Sequence, residues 1–511
     1  MSESENKGDR FRKPLQRPTL NLPARRVDAP EEPPADEAPP PPGGLARLLD
    51  AIAKMLSPKP PQATDGQPAP APADPPVFTV LVAAMAGDTP DGAASQAVYR
   101  ALGTKPALTV KPLPKPFPLD SMEDPAQVAA VVAATRQAAA MDNADLLVWG
   151  EVGKDGYRLR FATASAAEDD RTGLFGVSTR VELPLAWSEA QLDMLYAAVL
   201  AAADTTTEVQ KAALRRLLPA AAAPLEAMAS KPSLQLSMPQ QRSVQTIFGH
   251  VAVATAQVVP PSQADAWLEK AVATYRASEK RLARHEPQWE LGLIRKQVAT
   301  TLTLRAERAK DRAQELLEAA AAEWRGAVEL LSKASMPLEW ASAQTRLGVV
   351  LHRLDLLTGD TELLREAVQA LQGALSVYSR TENPQRWADI MHSLAQVLEV
   401  YGDQLRSAEV LKRAIDACEA VLEIRTRDRT PLAWAAIQNT LGSALFLLDK
   451  HSGGARHITD AVAAFAGALE VFQAHGRKGP AQVAARNLAK ARKLAEDRKG
   501  RQVIDPHWAD E

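Results

Sequence analysis

Three stretches of the 511-residue sequence repeat one pattern: MPLEWASAQTRLGVVL at 336–351, NPQRWADIMHSLAQVL at 383–398 and TPLAWAAIQNTLGSAL at 430–445. A proline, a tryptophan and a leucine return in each stretch after 47 residues. These residues are Pro337, Pro384 and Pro431; Trp340, Trp387 and Trp434; and Leu347, Leu394 and Leu441. Three markers kept over three copies indicate an internal repeat.

The sequence that follows each stretch repeats with the same step. Its markers are Ala367, Ala414 and Ala461; Leu371, Cys418 and Phe465; and Ala374, Val421 and Ala468. An early proline, a stop near TGD or YGD and a second apolar-periodic segment predict two helices per copy. Small residues at Gly348, Ala395 and Gly442 predict close helix contacts. Because one helix pair cannot bury its apolar stripe alone, we expect the copies to stack into a solenoid.

The array extends beyond the three clear copies. A drifted copy with Trp289 and Trp324 covers 287–333, and a weaker one starts near Met238. Leu488 lies 47 residues beyond the last repeated leucine and predicts a terminal capping helix. We therefore predict about five two-helix units and a cap. The predicted boundaries are 237–497 for the repeats and 498–511 for a C-terminal tail.

The repeat resembles the tetratricopeptide repeat, which has L-G-x-x-[Y/L] on its first helix and A-x-x-x-F-x-x-A on its second. The matching positions are Leu347, Gly348 and Leu351; Leu441, Gly442 and Leu445; Ala367, Leu371 and Ala374; and Ala461, Phe465 and Ala468. The usual unit has about 34 residues, so the 47-residue unit looks like a long-repeat subgroup found in bacterial proteins. The resemblance covers about half of the chain. It implies a superhelix whose first helices line a groove for a protein segment.

The amino-terminal part has a different composition. Residues 1–76 contain 18 of the 38 prolines and one aromatic residue, Phe11, which predicts a disordered Pro-rich tail. Within this tail, residues 45–56 place six apolar side chains at helical spacing. The segment fits a short amphipathic helix that packs on the protein's own body. A partner-binding helix and a weak membrane contact remain alternatives.

Residues 77–190 predict a small mixed α/β domain. The strands expected from apolar runs are 77–83, 107–110, 146–152, 157–162 and 179–183, and the helices are 93–102 and 125–141. Asp124 is the expected N-cap of the second helix, with Pro125 in its first turn. The sequence Gly153-Lys154-Asp155-Gly156 predicts a hairpin turn. Residues 191–236 are expected to form a helical connector broken at Pro219, Pro224 and Pro232.

The strand FTVLVA, the helix after a polar loop and the pair ADLLVWGEV and YRLRFATA resemble the amino-terminal domain of TolB and related FlgO-like domains. The similarity covers about a fifth of the chain. The family's matching positions are structural, so the resemblance implies no catalytic residue. That family is usually exported to the cell envelope, whereas the first residues here have no apolar run typical of a secretion signal.

Composition excludes several classes of function. Lys and Arg number 60 against 62 Asp and Glu, a formal net charge of −2, which argues against a surface built for nucleic acid or anionic lipid. The one cysteine, Cys418, cannot form an internal disulfide. No apolar run reaches the roughly 18–20 residues that span a bilayer. We therefore expect a cytoplasmic protein without a transmembrane segment.

No catalytic or metal-binding motif is evident. The loop from Gly87 to Gly92 has phosphate-loop spacing, but Ala93 and Ala94 follow it where Lys and Ser or Thr are needed. The eight histidines are scattered, and His451 and His457 flank a loop without a metal-ligand pattern. We expect the acidic run 168–170 to be a solvated loop, Cys418 to be a core thiol, and the tryptophans to pack between repeats.

The tetratricopeptide resemblance implies which residues face the groove. They are Thr345, Val349, His352 and Arg353; Asp389, His392, Gln396 and Glu399; Asn439, Ser443 and Phe446; and Arg486, Lys490 and Lys493. The alternative is that they form only a solvated concave wall. Because the last three share one helical face, we expect them to bind an acidic or carboxylate-terminated segment. A polar outer face for the capping helix would also explain them.

These observations favour a mainly α protein that acts as a non-enzymatic scaffold or adaptor, without cofactor or metal. Its partner is expected to be a protein or peptide bound in the solenoid groove, and not a nucleic acid. The rival hypothesis is a signalling regulator whose α/β domain senses a small molecule or nucleotide, with the repeats as output. An enzyme ranks third. The identity of the partner, its pathway and the oligomeric state are not encoded in any recognisable motif.

Overall fold

The computed structural model describes residues 76–164, 175–309, 311–452 and 456–504, with side chains as far as residue 498. Apart from Pro76, the predicted tail 1–76 and its helix at 45–56 lie outside these residues. The acidic run 168–170 also lies outside them. In the described residues the chain forms a mixed α/β sheet domain followed by an array of paired helices, as the sequence predicted.

One mixed sheet forms the amino-terminal part of the described chain. Its strands are β1 (Phe78–Ala83), β2 (Leu108–Leu113), β3 (Leu146–Gly153), β4 (Gly156–Ala162) and β5 (Val181–Leu183), in the spatial order β2-β1-β3-β4-β5. Strand β1 runs parallel to β2 and β3, whereas β4 is antiparallel to both β3 and β5. All five strands were predicted, although β2 extends three residues further than expected.

The hairpin between β3 and β4 has a two-residue loop, with Gly153 paired to Gly156. Gly156 has φ +126°, and a Cβ on it would lie 2.0 Å from the carbonyl oxygen of Leu183. A side chain at this position would therefore clash with the backbone of β5. The Asp-Gly step predicted the turn, and the approach of β5 explains why glycine is required there.

Helices cover both faces of the sheet. Helices α1 (Ala93–Gly103) and α3 (Glu189–Ala202) pack on the face that carries Val80 and Val148, and α2 (Pro125–Met141) packs on the face that carries Leu81 and Trp149. Successive strand residues thus alternate between two cores, as strand geometry requires. Asp124 caps α2 by accepting hydrogen bonds from the backbone N–H groups of Ala126 and Gln127, as predicted.

The segment predicted as a broken connector is instead two continuous helices, α3 and α4 (Glu208–Ser230). Pro219 and Pro224 lie inside α4 without ending it, so the expected breaks at these two prolines are wrong. Capping boxes start both helices, at Ser188 and at Thr207. Helix α3 is buried around nearly its whole circumference, because it lies between the sheet and the helical array.

The rest of the described chain is an array of helix pairs. Its helices are α5 (Met238–Val258) and α6 (Pro261–Glu279); α7 (Gln288–Arg308) and α8 (Ala313–Leu330); α9 (Pro337–Thr358) and α10 (Thr361–Leu375); α11 (Pro384–Leu405) and α12 (Ala408–Leu422); α13 (Pro431–Ser452) and α14 (Ile458–Ala474); and α15 (Lys478–Ile504). The three repeated prolines each begin a first helix. This pairing confirms the predicted repeat solenoid, and α15 continues seven residues past the predicted boundary at 497.

The second helices supply the centre of every unit. Residues that share the register are no more than 1 % exposed in all five units. They are Ala271, Ala320, Ala367, Ala414 and Ala461; Tyr275, Trp324, Leu371, Cys418 and Phe465; and Ser278, Ala327, Ala374, Val421 and Ala468. The two drifted copies therefore keep the same spacing within the second helix, with Tyr275 and Trp324 in place of the repeated large residue, although the step between these two copies is 49 residues and not 47.

The small residues on the first helices make room for that large residue. A Cβ on Gly348 would lie 2.7 Å from Leu371, and a Cβ on Gly442 would lie 3.0 Å from Phe465. In the copy between them the register pairs Ala395 with the smaller Cys418. The larger first-helix residue thus coincides with the smaller second-helix residue, as close packing requires.

The sheet domain and the array share one continuous core. Helix α5 packs against α3, α4 and β5 as well as against its own partner α6. Within the core, the ring centroids of Phe175 and His250 lie 4.8 Å apart. The hydroxyl oxygen of Tyr275 forms a hydrogen bond of 2.6 Å with His250 Nδ1. Burial lowers the pKa of His250 to about 3, so this imidazole is neutral.

Candidate functional site

The structure separates the predicted groove residues by burial. Those on the first helices that are buried are Thr345, His392, Glu399, Asn439 and Ser443. Half-buried are Val349, His352, Arg353, Asp389, Gln396 and Phe446, and exposed are Arg486, Lys490 and Lys493. The buried five have no surface to offer a bound segment in this conformation. The predicted groove wall is therefore corrected at these positions, because neighbouring first helices close over them.

The buried polar side chains join one first helix to the next. His392 Nε2 lies 3.1 Å from Thr440 Oγ1, and Asn487 Nδ2 donates to Asn439 Oδ1 at 3.4 Å. Both contacts span 48 residues, one repeat plus one position. Burial, helped by the charge of Arg425, lowers the pKa of His392 to about 4, so its ring stays neutral at pH 7. These side chains hold the array together and have a structural role.

A second set of polar contacts joins the C-terminal ends of successive first helices. Arg353 pairs with Glu307 at 2.9 Å, Gln404 donates to Asp355 at 2.9 Å, and His451 Nε2 lies 2.8 Å from Asp403. At the end of the array Arg498 Nη1 lies 3.5 Å from the buried Asp449, and Arg498 Nη2 donates to the carbonyl oxygen of Asp449 at 2.6 Å. Each first helix from α7 to α11 is thereby tied to the next first helix, and α13 is tied to α15 in the same way.

Exposed cations gather where the array ends. Arg486, Lys490 and Lys493 lie on α15, and Lys450 lies on the neighbouring α13. Burial lowers the pKa of Lys490, and the positive charges of Arg486 and Lys450 lower it further. Among the described residues, no carboxylate pairs with Lys490 or Lys493, whereas Lys450 lies 3.4 Å from Asp403. This cationic end, formed by these four residues, suits a negatively charged ligand.

The repeated tryptophans are half-buried and pack within their own unit. A Cβ on Gly373 would lie 3.3 Å from the Trp340 ring, and a Cβ on Gly467 would lie 3.0 Å from the Trp434 ring. These contacts join the first helix to the second helix of one copy. Trp434 also lines one groove together with Ile415 of the preceding copy, and the expected packing between repeats stays a prediction. A cation at the same repeat position lies over each ring. The pairs are Lys333 with Trp340, Arg380 with Trp387 and Arg427 with Trp434, at 5.4–5.9 Å.

The loop with phosphate-loop spacing contains its own anion. Both oxygens of Asp88 accept hydrogen bonds from the start of α1, from the backbone N–H of Ala94 at 3.0 Å and of Ser95 at 2.8 Å. Burial raises the pKa of Asp88, but the hydrogen bonds from Ser95, Ala94 and Thr89 outweigh it, and the net pKa is lowered. An ionised carboxylate thus fills the place where a phosphate would bind to a helix N-terminus.

Ion pairs fasten the sheet domain to the first units. Arg180, beside β5, pairs with Glu290 on α7 at 2.7 Å, and Arg242 on α5 pairs with both Glu286 and Glu290. Ser178 donates to Glu339 at the start of α9 at 2.8 Å. No sequence pattern indicates this interface, because its residues are separated by up to 161 positions and follow no repeat. Lys450 was also missed, although it continues the face of Ser443 and Phe446.

The described residues contain no group of three or more His, Cys, Asp and Glu side chains arranged to hold a metal ion. Cys418 is buried, and burial, with the nearby charges of Glu399 and Glu419, raises the pKa of its thiol well above the usual value. Helix α13 is long and apolar enough to cross a membrane, but it packs between α12 and α14, and 61 % of its apolar window is buried. It is therefore a core helix of the array.

Comparison with known proteins adds little to this description. No family model and no curated protein matches the sequence. Among solved structures, the chain is similar to a circular tandem repeat protein with novel repeat topology and enhanced subunit contact surfaces. The two chains are 16 % identical with a TM-score of 0.26, over 62 % of this chain and 85 % of that one. No functional property is transferred from that protein.

Proposed function

We propose that this protein is a non-enzymatic scaffold whose helical repeats bind an acidic or carboxylate-terminated protein segment. The observation that carries the proposal is the cationic end of the array. Lys490 is crowded by like charge from Arg486 and Lys450, and this crowding is relieved when an anion binds between them. Carboxylates of a peptide are suitable anions, because charge-assisted hydrogen bonds to Lys and Arg are stronger than neutral ones.

Two observations support a role without catalysis. Asp88 accepts hydrogen bonds from the helix N-terminus after β1, so in the loop most similar to a nucleotide-binding loop a carboxylate already occupies these N–H groups. The one thiol is buried with a raised pKa, which opposes formation of a nucleophilic thiolate. The rival hypothesis of a sensor domain stays a prediction.

The proposal also includes the type of repeat, the type of sheet domain and the location of the protein in the cell. The L-G-x-x-L and A-x-x-x-[LF]-x-x-A segments support tetratricopeptide-like units of 47 residues, and the β-α-β-α-β-hairpin order supports a TolB-like sheet domain. We also propose that the protein acts in the cytoplasm, as the sequence predicted. A fold of this kind brings partner segments together by binding them along an extended helical surface.

The proposal is tested with a fluorescein-labelled nine-residue peptide of Asp, Glu and Leu that ends in a free carboxylate. The full chain is compared with the variant Arg486→Glu, Lys490→Glu, Lys493→Glu at 20 and 300 mM salt. Each exposed pair is worth about 0.2–1 kcal/mol, so we expect the three reversals to weaken binding roughly tenfold or more at low salt. Screening should reduce the difference at high salt.

The matched control is Arg477→Glu, Lys478→Glu, Arg492→Glu, which changes the net charge equally with exposed cations outside this set. The control should bind the peptide as the native chain does, apart from a small long-range effect. Equal weakening by both variants would mean that only net charge matters. In that case the cationic end is not a binding site.

A further inference from the structure

A second surface near the end of the array has the opposite charge. Helices α12, α13 and α14 enclose a groove of about 520 Å³. Its floor is apolar and includes Ile415, Leu441 and Leu445, and its rim carries Asp416, Glu419 and Asp460. On α13 Leu448 lines the groove, whereas Lys450 belongs to the cationic end. Two residues at about 100° each separate these side chains by about 200°, so the groove and the cationic end lie on different sides of this helix.

The repeat register explains why the groove is open in this unit. Leu448 and Gln438 line it, whereas one copy earlier the same positions hold Tyr401 and Met391. Tyr401 and Met391 are half-buried and pack against the core of their unit. His457, at the edge of the groove, likewise replaces an apolar residue of the preceding copy, Val410. The shorter Leu448 thus leaves space that Tyr401 takes up in the earlier copy, and Gln438 and His457 make the lining more polar.

The negative rim is also specific to this copy. Asp416, Glu419 and Asp460 correspond to Gln369, Gln372 and Arg413 one repeat earlier. The one cation on the rim, Lys412, corresponds to Arg365. Within the described part of the chain, the three carboxylates are exposed and form no hydrogen bond or ion pair. An apolar floor with unpaired carboxylates above it is complementary to a large apolar side chain flanked by cations.

We propose that this groove binds the chain's own segment 10–18, RFRKPLQRP. The segment has four Lys and Arg residues, no Asp or Glu, and two large apolar side chains, Phe11 and Leu15. One of these apolar side chains fills the space above the floor, while the cations meet the carboxylates of the rim. A volume of 520 Å³ is suited to one or two side chains rather than to a whole helix.

The tether between the segment and the sheet domain is long enough for this contact. Between Pro18 and Pro76 lie 57 residues, which can span at most about 190 Å when fully extended. A tethered ligand binds with an effective concentration that can reach the millimolar range. Weak single contacts at the rim therefore suffice for the tethered segment to occupy the groove. The same contacts would not fill the groove with a segment from another chain at ordinary protein concentrations.

The test uses full-length chains and a fluorescein-labelled peptide of sequence RFRKPLQRP. In the first chain the tail is neutralised by Arg10→Ala, Arg12→Ala, Lys13→Ala and Arg17→Ala. We expect this chain to bind the peptide at least tenfold more tightly than the native chain does, because the native tail competes for the groove. Equal binding by the two chains would overturn the assignment of the tail as occupant.

Groove variants are then added to the tail-neutralised chain. Asp416→Asn, Glu419→Gln, Asp460→Asn should weaken peptide binding at least tenfold at low salt. Leu448→Tyr, which installs the residue of the earlier copy, should weaken it without a change of charge. The matched control Asp311→Asn, Glu318→Gln, Glu329→Gln removes three exposed carboxylates from another unit. Equal loss in this control would show non-specific attraction and would overturn the groove as the site.

Light scattering of the native chain tests whether the segment in the groove comes from the same chain or from a second copy. A monomer at all concentrations supports binding within one chain. A dimer that dissociates when the tail is neutralised would show that a second copy supplies the segment, and the proposal of a contact within one chain would then be wrong. Peptide binding that Leu448→Tyr and the groove carboxylate variant both leave unchanged would place the segment elsewhere.

Discussion

At the scale of single residues, size compensation between facing helices maintains the repeat. Gly348 faces Leu371 with no room for a Cβ, since that atom would lie 2.7 Å from the leucine side chain. The next copy carries Ala395 and Cys418 at the same two positions, and the last carries Gly442 and Phe465. The pair, rather than either residue alone, determines whether the helices can approach.

This compensation predicts that the effects of substitutions at Gly348 and Leu371 on stability are strongly coupled. Gly348→Ala should lower the free energy of unfolding by about 1–3 kcal/mol through overpacking, and Leu371→Cys should lower it by about 2–5 kcal/mol through loss of buried volume. The double variant reproduces the middle copy. We expect it to cost at least about 1 kcal/mol less than the sum, measured by urea unfolding of the full chain. An additive result would show that the two residues do not share space.

A second residue-scale prediction concerns His392. Its pKa is about 4 in the folded chain and about 6.5 when unfolded, so the unfolded chain takes up the proton first as pH falls. The stability that the neutral ring contributes is complete above pH 6.5 and is lost as pH falls to about 4. The two pKa values correspond to a loss of roughly 3 kcal/mol.

His392→Gln removes this titration and keeps a side chain that can reach Thr440. We expect the variant to be less stable at pH 7 but to lose less stability between pH 6.5 and 4 than the native chain, as measured by urea midpoints at each pH. His250 titrates in both chains and cancels in the comparison. Parallel pH profiles would contradict the lowered pKa.

At the scale of elements, the array ends in a helix that is fastened at its far end. Arg498 on α15 pairs with Asp449, which is 1 % exposed and also accepts a hydrogen bond from the backbone N–H of His457. The contact closes the interface of α13, α14 and α15. Without Arg498, the buried carboxylate would lose its cation.

Arg498→Ala should therefore cost about 3–5 kcal/mol, the range for breaking a buried ion pair by removing one partner. Because units contact only their neighbours, the loss should be local. Hydrogen exchange should quicken in α14 and α15 and stay unchanged in α5 to α8. Arg492→Ala, at an exposed position of the same helix, is the control and should leave exchange as it is in the native chain. Faster exchange along the whole array would contradict a local role.

Still at the scale of elements, the sequence predicted the helices and strands well, but it predicted poorly which side chains are exposed to solvent. Periodic apolar residues and the repeated prolines located the helices, because these signals lie within one segment. The burial of Asn439 and Ser443 depends on how closely α11 and α15 approach α13, which no single segment encodes. The continuity of α4 through Pro219 and Pro224 was missed for the same reason, since packing on α5 overrides local helix-breaking signals.

At the scale of the whole molecule, the sheet domain and the repeats form one body in the described residues. The sequence predicted two domains joined by a connector, because composition changes near residue 190. The contacts that unite them are long-range ion pairs such as Arg180 with Glu290, which leave no periodic signal. The apolar residues of α3 and α5 follow the pattern of ordinary buried helices, so the sequence does not indicate that these two helices contact each other.

This union predicts the behaviour of a shortened chain. The chain 237–511 keeps all repeat helices but exposes the faces of α5 that α3, α4 and β5 cover in the structure. On these faces Gln245 donates to the carbonyl oxygen of Ala229 on α4, and Ser243 Oγ accepts from the backbone N–H of Glu182 in β5. Each apolar side chain that is fully buried beside them contributes about 1.5–3 kcal/mol. We expect α5 and α6 to lose protection from hydrogen exchange relative to the chain 76–511, while α9 to α14 keep theirs because each unit needs only its neighbours. Full protection of α5 in the shortened chain would mean that the repeats fold independently of the sheet domain and that the shared core contributes little to their stability.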